Sequence, residues 1–321
     1  MEFIGGKLLQ VVIALAIFAA VIGIIMLVVD RAPKSVKDRV TVAGFLAPAA
    51  ILMLVGLVYP AIRTSTLAFT DASGNGNGFD NFVWMFTQPE ALTTLRNTVI
   101  WTVLVPLLST SFGLAYAVFI DKARGEKVLK SLVFMPMAIS FVGAGIIWKL
   151  VYDYRGPGIE QTGVLNFFRD ALGMDPKQFL LDAPENTFFL IIVMVWIQTG
   201  FAMVILSAAI KGVPVELVEA ARLDGANAWQ QFRNVTIPGI RGALVVVLTT
   251  ITIATLKVFD IVRTMTAGNY DTSVVANEMY TQAFRAGEPG RGAALALVLF
   301  LMVLPIVVYN ARVLRKQREI H

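Results

Sequence analysis

The sequence predicts an all-α integral membrane protein of about seven spans, and three observations carry that prediction. Apolar residues make up 57% of the chain and charged residues 15%, where soluble domains run at roughly half and a quarter; the mean hydropathy is +0.72. Seven stretches are each long enough to cross a hydrocarbon core, which takes about 20 apolar residues at about 1.5 Å rise each, and a helix there satisfies its own backbone. Lys and Arg gather in alternate loops between these stretches, as membrane topology imposes.

The spans are expected at about 8–29, 41–63, 98–120, 130–152, 187–210, 242–265 and 292–311. The first has the position of a secretory signal but not its form. Its apolar run exceeds the usual stretch of about 7 to 15 residues, only Lys7 precedes it, and no small-x-small site follows before Asp30 and Arg31. It therefore reads as a retained span.

One set of alternate loops holds Arg31, Lys34, Lys37 and Arg39; Lys122, Arg124, Lys127 and Lys130; Lys211, Arg222, Arg233 and Arg241; and Arg312, Arg315, Lys316 and Arg318. The positive-inside rule makes these loops cytoplasmic, with the N-terminus outside and the C-terminus inside. The opposite loops are sparser in base and richer in turn-formers, as in residues 71–81 (DASGNGNGFDN) and 153–158 (DYRGPG).

Composition also excludes several chemistries. There is no cysteine, and the single histidine is the last residue, His321, so redox and zinc chemistry have no ligands and no metal site is expected. The net charge of +5 is accounted for by the topogenic loops, which leaves no call for a nucleic-acid partner. The chain lacks a G-x-x-x-x-G-K-[ST] phosphate loop; residues 125–130 (GEKVLK) have one Gly and a Lys but not the rest. The outward loops, about 64–97 and 153–186, fall short of the roughly 50 residues that a small domain needs. Neither a nucleotide-hydrolysing site nor a separate outward domain is expected on this chain, and no cofactor is expected on it.

The most informative segment is polar and lies between two spans: residues 216–239, ELVEAARLDGANAWQQFRNVTIPG. Pro214 suits a first helical turn, with Glu216 and Glu219 near the positive end of the dipole, so a short helix is expected over about 214–223. Gly225 suits the left-handed residue that ends it, Asp224 suits a cap for a second helix over about 226–234, and Pro238 is expected to stop that helix. Ala220 and Ala221 keep the outer face flat, while Trp229 and Phe232, three apart, offer apolar anchorage.

Glu219, Ala220 and Ala221, then Gly225, Val235, Ile237 and Pro238, resemble the EAA loop of ABC importer permeases: EAA, three residues, Gly, nine residues, I-x-L-P. Val235 and Ile237 stand where the family has Ile and Leu. The resemblance implies a type I ABC importer transmembrane domain over 41–321 with its EAA loop at 214–239, preceded by an extra N-terminal span and basic linker over 1–40. It implies that this loop is a coupling helix docked on an ATPase subunit, with Glu219 meeting basic groups and Gly225 permitting the bend.

Residues 45–70 (FLAPAAILMLVGLVYPAIRTSTLAFT), Asp80 to Val83, 256–270 (LKVFDIVRTMTAGNY), 275–284 (VANEMYTQAF) and 290–308 look like carbohydrate-importer permeases, most of all alpha-glucoside permeases related to the maltose pair. Arg263 departs from that pattern, where an apolar or aromatic residue is commoner. The resemblance implies a second homologous permease, two copies of an ABC ATPase that uses ATP and Mg, an extracytoplasmic sugar-binding protein, and the bacterial inner membrane. Maltose, sucrose and trehalose are the expected solutes; glycerol phosphate and other glycosides stay open.

Neutral sugars call for aromatic faces and hydrogen-bonding groups with little net charge. Trp196, Gln198 and Thr199 in the fifth span answer that description, the alternative being helix-packing polar residues. Lys257 and Asp260, three apart in the sixth span, are either functional intramembrane charges or a mutually neutralising pair. Asn269, Tyr270 and Asn277 could form an outer mouth or simply be solvated. A secondary transporter driven by an ion gradient is the alternative function, but Asp260 is the only clear carboxylate within a span, and a membrane enzyme would need in-span His, Cys or paired carboxylates.

Overall fold

The computed structural model of the protein describes residues 2–120, 123–156 and 158–318; Lys122 and His321, named above, lie outside them. Apart from a single bridge between Thr70 and Gly76, the regular structure of the described residues is helical. The chain divides into two compact units, 1–66 and 67–321.

In the first unit, α1 (Glu2–Arg31) and α2 (Lys37–Met53) pair, with Gly44 of α2 seated on Ile25 of α1. Their apolar side chains, such as Phe18 and Leu52, stay exposed, as expected of helices facing lipid. A π turn, Leu54–Val58, leads into α3 (Tyr59–Leu67), which crosses the boundary between the units.

The second unit is built on α5 (Pro89–Ile120) and α9 (Glu185–Lys211). Trp101 and Val105 of α5 meet Leu190, Met194, Met203 and Leu206 of α9 in one buried cluster. The two backbones come so close that a Cβ on Gly113 would lie 2.5 Å from that of Ala202 and 2.8 Å from the Met203 nitrogen. α13 (Arg241–Leu256) packs on α5, and Ile251 joins the cluster. A second, smaller core gathers Ala68, Met85, Val275, Ala294 and Leu295 where α4 (Asp80–Thr87) and α15 (Val275–Phe284) meet α16 (Pro289–Arg318).

Among the described residues five helices have the length and apolarity of a span, and the total reaches seven when each of two bent pairs is taken as one span. The fourth expected span, 130–152, is not continuous. α6 (Glu126–Phe134) tightens into a 3₁₀ turn over Met135–Ala138, Ile139 is extended, and α7 (Phe141–Val151) departs at 104°. Pro136 supplies no N–H to this turn, and Ser140 caps the new helix by accepting from the Gly143 amide at 3.1 Å.

The sixth expected span, 242–265, is also interrupted. α13 stops at Leu256, Lys257 and Phe259 leave helical geometry, and α14 (Asp260–Met265) starts afresh. Thr249, Thr252 and Thr255 all bond back to carbonyls one turn earlier, a pattern that weakens and bends a helix end. Arg263, the departure noted in the sequence, lies over the Tyr280 ring at 4.8 Å, a cation–π contact that explains a charge at this place.

At the end of the bundle where α5 begins, three side chains strap one loop. Asn97 donates to the carbonyls of Asp271 (2.6 Å) and Ser273 (3.1 Å), Asn186 donates to that of Tyr270 (2.7 Å), and the Thr98 hydroxyl accepts from the Val275 amide (2.9 Å). The strap holds Ala267, Tyr270 and Asp271 at φ of 58°, 57° and 60°. Such values are uncommon for non-glycine residues and need fixed surroundings.

The α5–α9 seat gives a direct test. Gly113→Leu drives a side chain into the α9 backbone and is expected to lower stability by about 2 kcal/mol or more, read as an earlier thermal transition in detergent. Gly56→Ala, where nothing lies within 4 Å of the added methyl, is the control and is expected to melt like the parent.

Candidate functional site

The polar loop folds close to the way its residues suggest. α10 (Val215–Leu223) ends in a Schellman motif: the Ala226 amide donates to the Ala221 carbonyl, the Gly225 amide donates to the Arg222 carbonyl, and Gly225 sits at φ 82°. Asp224 is the C-cap of α10, not the N-cap of the next helix as expected. That role falls to Asn227. Its side chain accepts from the Gln230 amide at 2.9 Å while the Gln230 side chain accepts from the Asn227 amide at 2.8 Å, a reciprocal capping box.

The second helix also differs from expectation. α11 (Ala228–Gln231) passes through a π turn, Phe232–Thr236, into α12 (Ile237–Gly239), and the chain bends by 68° only at Ile240. Pro238 does not stop it. The wider π turn comes just before the proline, where a regular helix would press the ring against a carbonyl one turn back.

Glu219 and Ala220 face outward and Ala221 is half-buried. Trp229 (66% exposed) and Phe232 lie 5.6 Å apart between ring centres and, with Leu114, Val118 and Phe119 of α5, line an apolar recess of about 500 Å³. Leu223, 89% exposed, is an apolar knob that the sequence reading passed over. Its signal was there: a leucine on a loop that does not face lipid.

The loop is anchored at both ends. Val213, just before α10, touches the site where Gly239 would carry a Cβ, at 3.1 Å. Lys211 at the end of α9 donates to Glu126 at 2.7 Å, and so does Lys130, which also reaches Ser207 at 2.5 Å. Glu126 thereby ties the second basic loop to the last turn of α9.

Higher in the bundle, a cavity of about 610 Å³ opens beside the bend between α6 and α7. Trp196 and Thr199 line it, joined by Trp148, Tyr116 and Phe112, which the sequence reading did not name. The Trp148 and Trp196 rings meet edge to face at 5.7 Å. Thr199 donates to its own Val195 carbonyl at 2.7 Å and leaves its lone pairs available as acceptors. Among the described residues no Lys, Arg, Asp or Glu lines this cavity.

The other expected pathway residues are not brought here. Gln198 is half-buried and outside the lining. Lys257 is exposed at the end of α13 and Asp260 opens α14, so they do not form the i, i+3 pair of one helix, and no ion pair joins them among the described residues. Asn269, Tyr270 and Asn277 line a separate polar recess at the strapped end.

Residues 109–319 match the family described as binding-protein-dependent transport system inner membrane component. The chain is 46% identical over 277 residues to the osmoprotective compounds uptake permease protein GgtC of a Synechocystis species, covering 86% of this chain and 99% of that one. It is 48% identical over 270 residues to the alpha-glucoside transport system permease protein AglF of Rhizobium meliloti, covering 84% and 80%. Among solved structures, a bacterial ABC transporter involved in the import of the acidic polysaccharide alginate has the same fold, with a TM-score of 0.76 at 24% identity over 88% of this chain and 98% of that one. With the EAA loop built as a capped helical pair and the family match covering most of the chain, this protein belongs to the binding-protein-dependent transport system inner membrane components, the permease subunits of ABC importers.

Proposed function

We propose that this permease moves a neutral sugar, an alpha-glucoside or other di- or oligosaccharide of the maltose, sucrose or trehalose type. The observation that carries the reading is the cavity at the α6–α7 bend. Trp148, Trp196, Tyr116 and Phe112 give it aromatic walls, Thr199 gives it an acceptor, and among the described residues no charged side chain lines it. That chemistry suits stacked sugar faces and hydroxyl groups. It offers nothing to an acidic polysaccharide or to glycerol phosphate. The likeness to an alpha-glucoside permease supports the same choice.

The cavity belongs to one half of a pathway, with a second homologous permease supplying the other. Residues 41–321 serve as the permease domain, and 1–40 as an added span and linker with the N-terminus outside and the C-terminus in the cytoplasm. Two copies of an ABC ATPase hold the ATP and Mg, and an extracytoplasmic sugar-binding protein delivers the solute. Glu219, Ala220, Ala221, Asp224 and Gly225 form the face that docks on the ATPase, with Leu223 as its apolar knob. Trp229, Phe232 and Pro238 set the angle of that face to α13. Lys257 and Asp260 act at the end of the sixth span as structural charges outside the cavity.

Three measurements test these assignments. Reconstituted with its partner subunits, the complex is expected to hydrolyse ATP faster with receptor plus maltose, sucrose or trehalose and to ignore glycerol phosphate. Stimulation by the phosphate ester alone would refute the assignment of a neutral sugar.

Trp196→Ala removes an aromatic wall and is expected to cut sugar uptake about tenfold while the complex still assembles. Uptake at the wild-type rate would remove Trp196 from the pathway. Gly225→Val places a β-branched residue at φ 82° and so breaks the turn between α10 and α11. Co-purification of the ATPase is expected to fall sharply with membrane insertion retained, and unchanged recovery would show that the turn does not position the docking face.

A further inference from the structure

The clamp on Glu126 stands at one end of a longer contact between α6 and α9. At the other end the two backbones nearly touch: a Cβ on Gly200 would lie 2.6 Å from the Val133 carbonyl oxygen and 3.0 Å from the Phe134 Cα. Between these points Lys130 donates to the Ser207 hydroxyl at 2.5 Å, and at the far end one oxygen of Glu126 accepts from both Lys130 and Lys211 at 2.7 Å. The pairings of 133 with 200, 130 with 207 and 126 with 211 run in opposite senses. α6 therefore lies antiparallel along α9 for about 10 Å, at about 1.5 Å per residue.

One close point between two helices is a pivot, and a second point fixes the angle about it. Gly200 supplies the first, because a packed backbone contact cannot be compressed further. Glu126 supplies the second. Its carboxylate is shared by ammonium groups from two different helices, and such charge-assisted bonds are directional. All three side chains are partly exposed, so these pairs add little to overall stability, and what they set is the angle of α6.

α6 is able to follow α9 because it is not continuous with α7. The chain breaks at Ile139 and turns by 104°, and beyond the break Gly145 of α7 seats against Thr264 of α14, which lies 3.1 Å from where its Cβ would be. Leu132 and Val133 of α6 line the cavity together with Trp196 and Thr199 of α9, and α9 runs on from there to Lys211, just before α10 begins. We propose that Glu126 is a positioning residue: through it α6, one wall of the cavity, travels with α9 and the 216–239 loop as one piece, so that displacing the loop moves the wall. This rests on the docking of that loop on an ATPase proposed above.

The test uses the complex reconstituted in liposomes with its partner subunits and receptor, and whichever of maltose, sucrose and trehalose stimulates hydrolysis. Sugar uptake and ATP hydrolysis are read on the same sample. Glu126→Gln keeps the shape and removes the charge. It is expected to lower the sugar moved per ATP hydrolysed about fivefold while hydrolysis continues, whereas a mere loss of stability removes both activities together and leaves their ratio alone. Lys127→Gln changes an exposed neighbour on the same helix, outside the clamp, and is expected to keep the wild-type ratio. A wild-type ratio in Glu126→Gln would overturn the assignment, and so would an equal fall in Lys127→Gln, which traces the effect to the charge of the loop as a whole.

A second measurement leaves the clamp intact. This chain has no cysteine, so Val128→Cys on α6 and Val215→Cys at the start of α10, both exposed positions, accept a pair of spin labels. Their separation is expected to be the same with and without ATP, and its distribution to broaden when Glu126→Gln is added. A separation that changes between the two nucleotide states would show that α6 does not follow the loop, and it would do so even where Glu126→Gln fails to assemble. A wild-type complex whose uptake does not respond to ATP would instead defeat the docking reading itself, a failure visible before any variant is made.

Discussion

The close seat of α5 on α9 is the contact on which the rest of the second unit depends. With hydrogen at Gly113 and only a methyl at Ala202, two long apolar helices approach to backbone distance, so that dispersion rather than any polar bond holds them. Every functional feature of this unit then hangs from α9 in sequence. Asn186 straps the outer loop at one end, Trp196 and Thr199 face the cavity midway, and Ser207 and Lys211 meet the Glu126 clamp at the other end. From Asn186 to Lys211 is a rise of roughly 38 Å at about 1.5 Å per residue. A helix held against its neighbour along this length carries displacement from one end to the other instead of absorbing it by bending.

Where the bundle does bend, the cause is local and chemical. Two π turns, Leu54–Val58 and Phe232–Thr236, each begin six residues before a proline, Pro60 and Pro238. Pro48, Pro106 and Pro305 sit inside α-helix without one. In the loop, the π turn adds backbone ahead of Pro238 and so uncouples two orientations: the face carrying Trp229 and Phe232, and the face of α13 that begins at the buried Ile240. The bend between α6 and α7 is of another kind. It has an extended residue and a fresh N-cap, and the cavity lies directly beside it.

The number and type of spans were legible because apolar length is a sum over some twenty residues and survives local error. The 216–239 loop was legible because Pro214, Gly225 and the EAA run each impose a local geometry. Its finer caps were not. Asp224 and Asn227 are both good N-cap residues, and the choice fell to Asn227 because Gln230 three residues on completes the capping box. The breaks at Ile139 and Lys257 hide inside apolar sequence, where each has a span's composition on both sides. Trp148 and Tyr116 could not be joined to Trp196 from sequence, since the packing of α5 on α9 brings Tyr116 to the cavity and the α6–α7 bend brings Trp148.

Charge is distributed along the bundle in a way that assigns tasks to levels. Among the described residues no charged side chain lines the cavity beside the α6–α7 bend, Glu90, Asp271 and Glu278 line the recess at the start of α5, and the loop ends near α9's last turn are tied by lysines on Glu126. A charged group buried at mid-bundle would cost several kcal/mol unless paired. Leaving it out keeps the cavity open to an uncharged solute without an energetic trap for ions. Charge placed at the ends, where water and partner proteins meet the bundle, costs little in desolvation and sets which surfaces come together. On this arrangement aromatic rings stand around the central cavity and charge stands at the ends of the bundle, with Leu223 exposed beside Glu219 and Ala220 of the 216–239 loop.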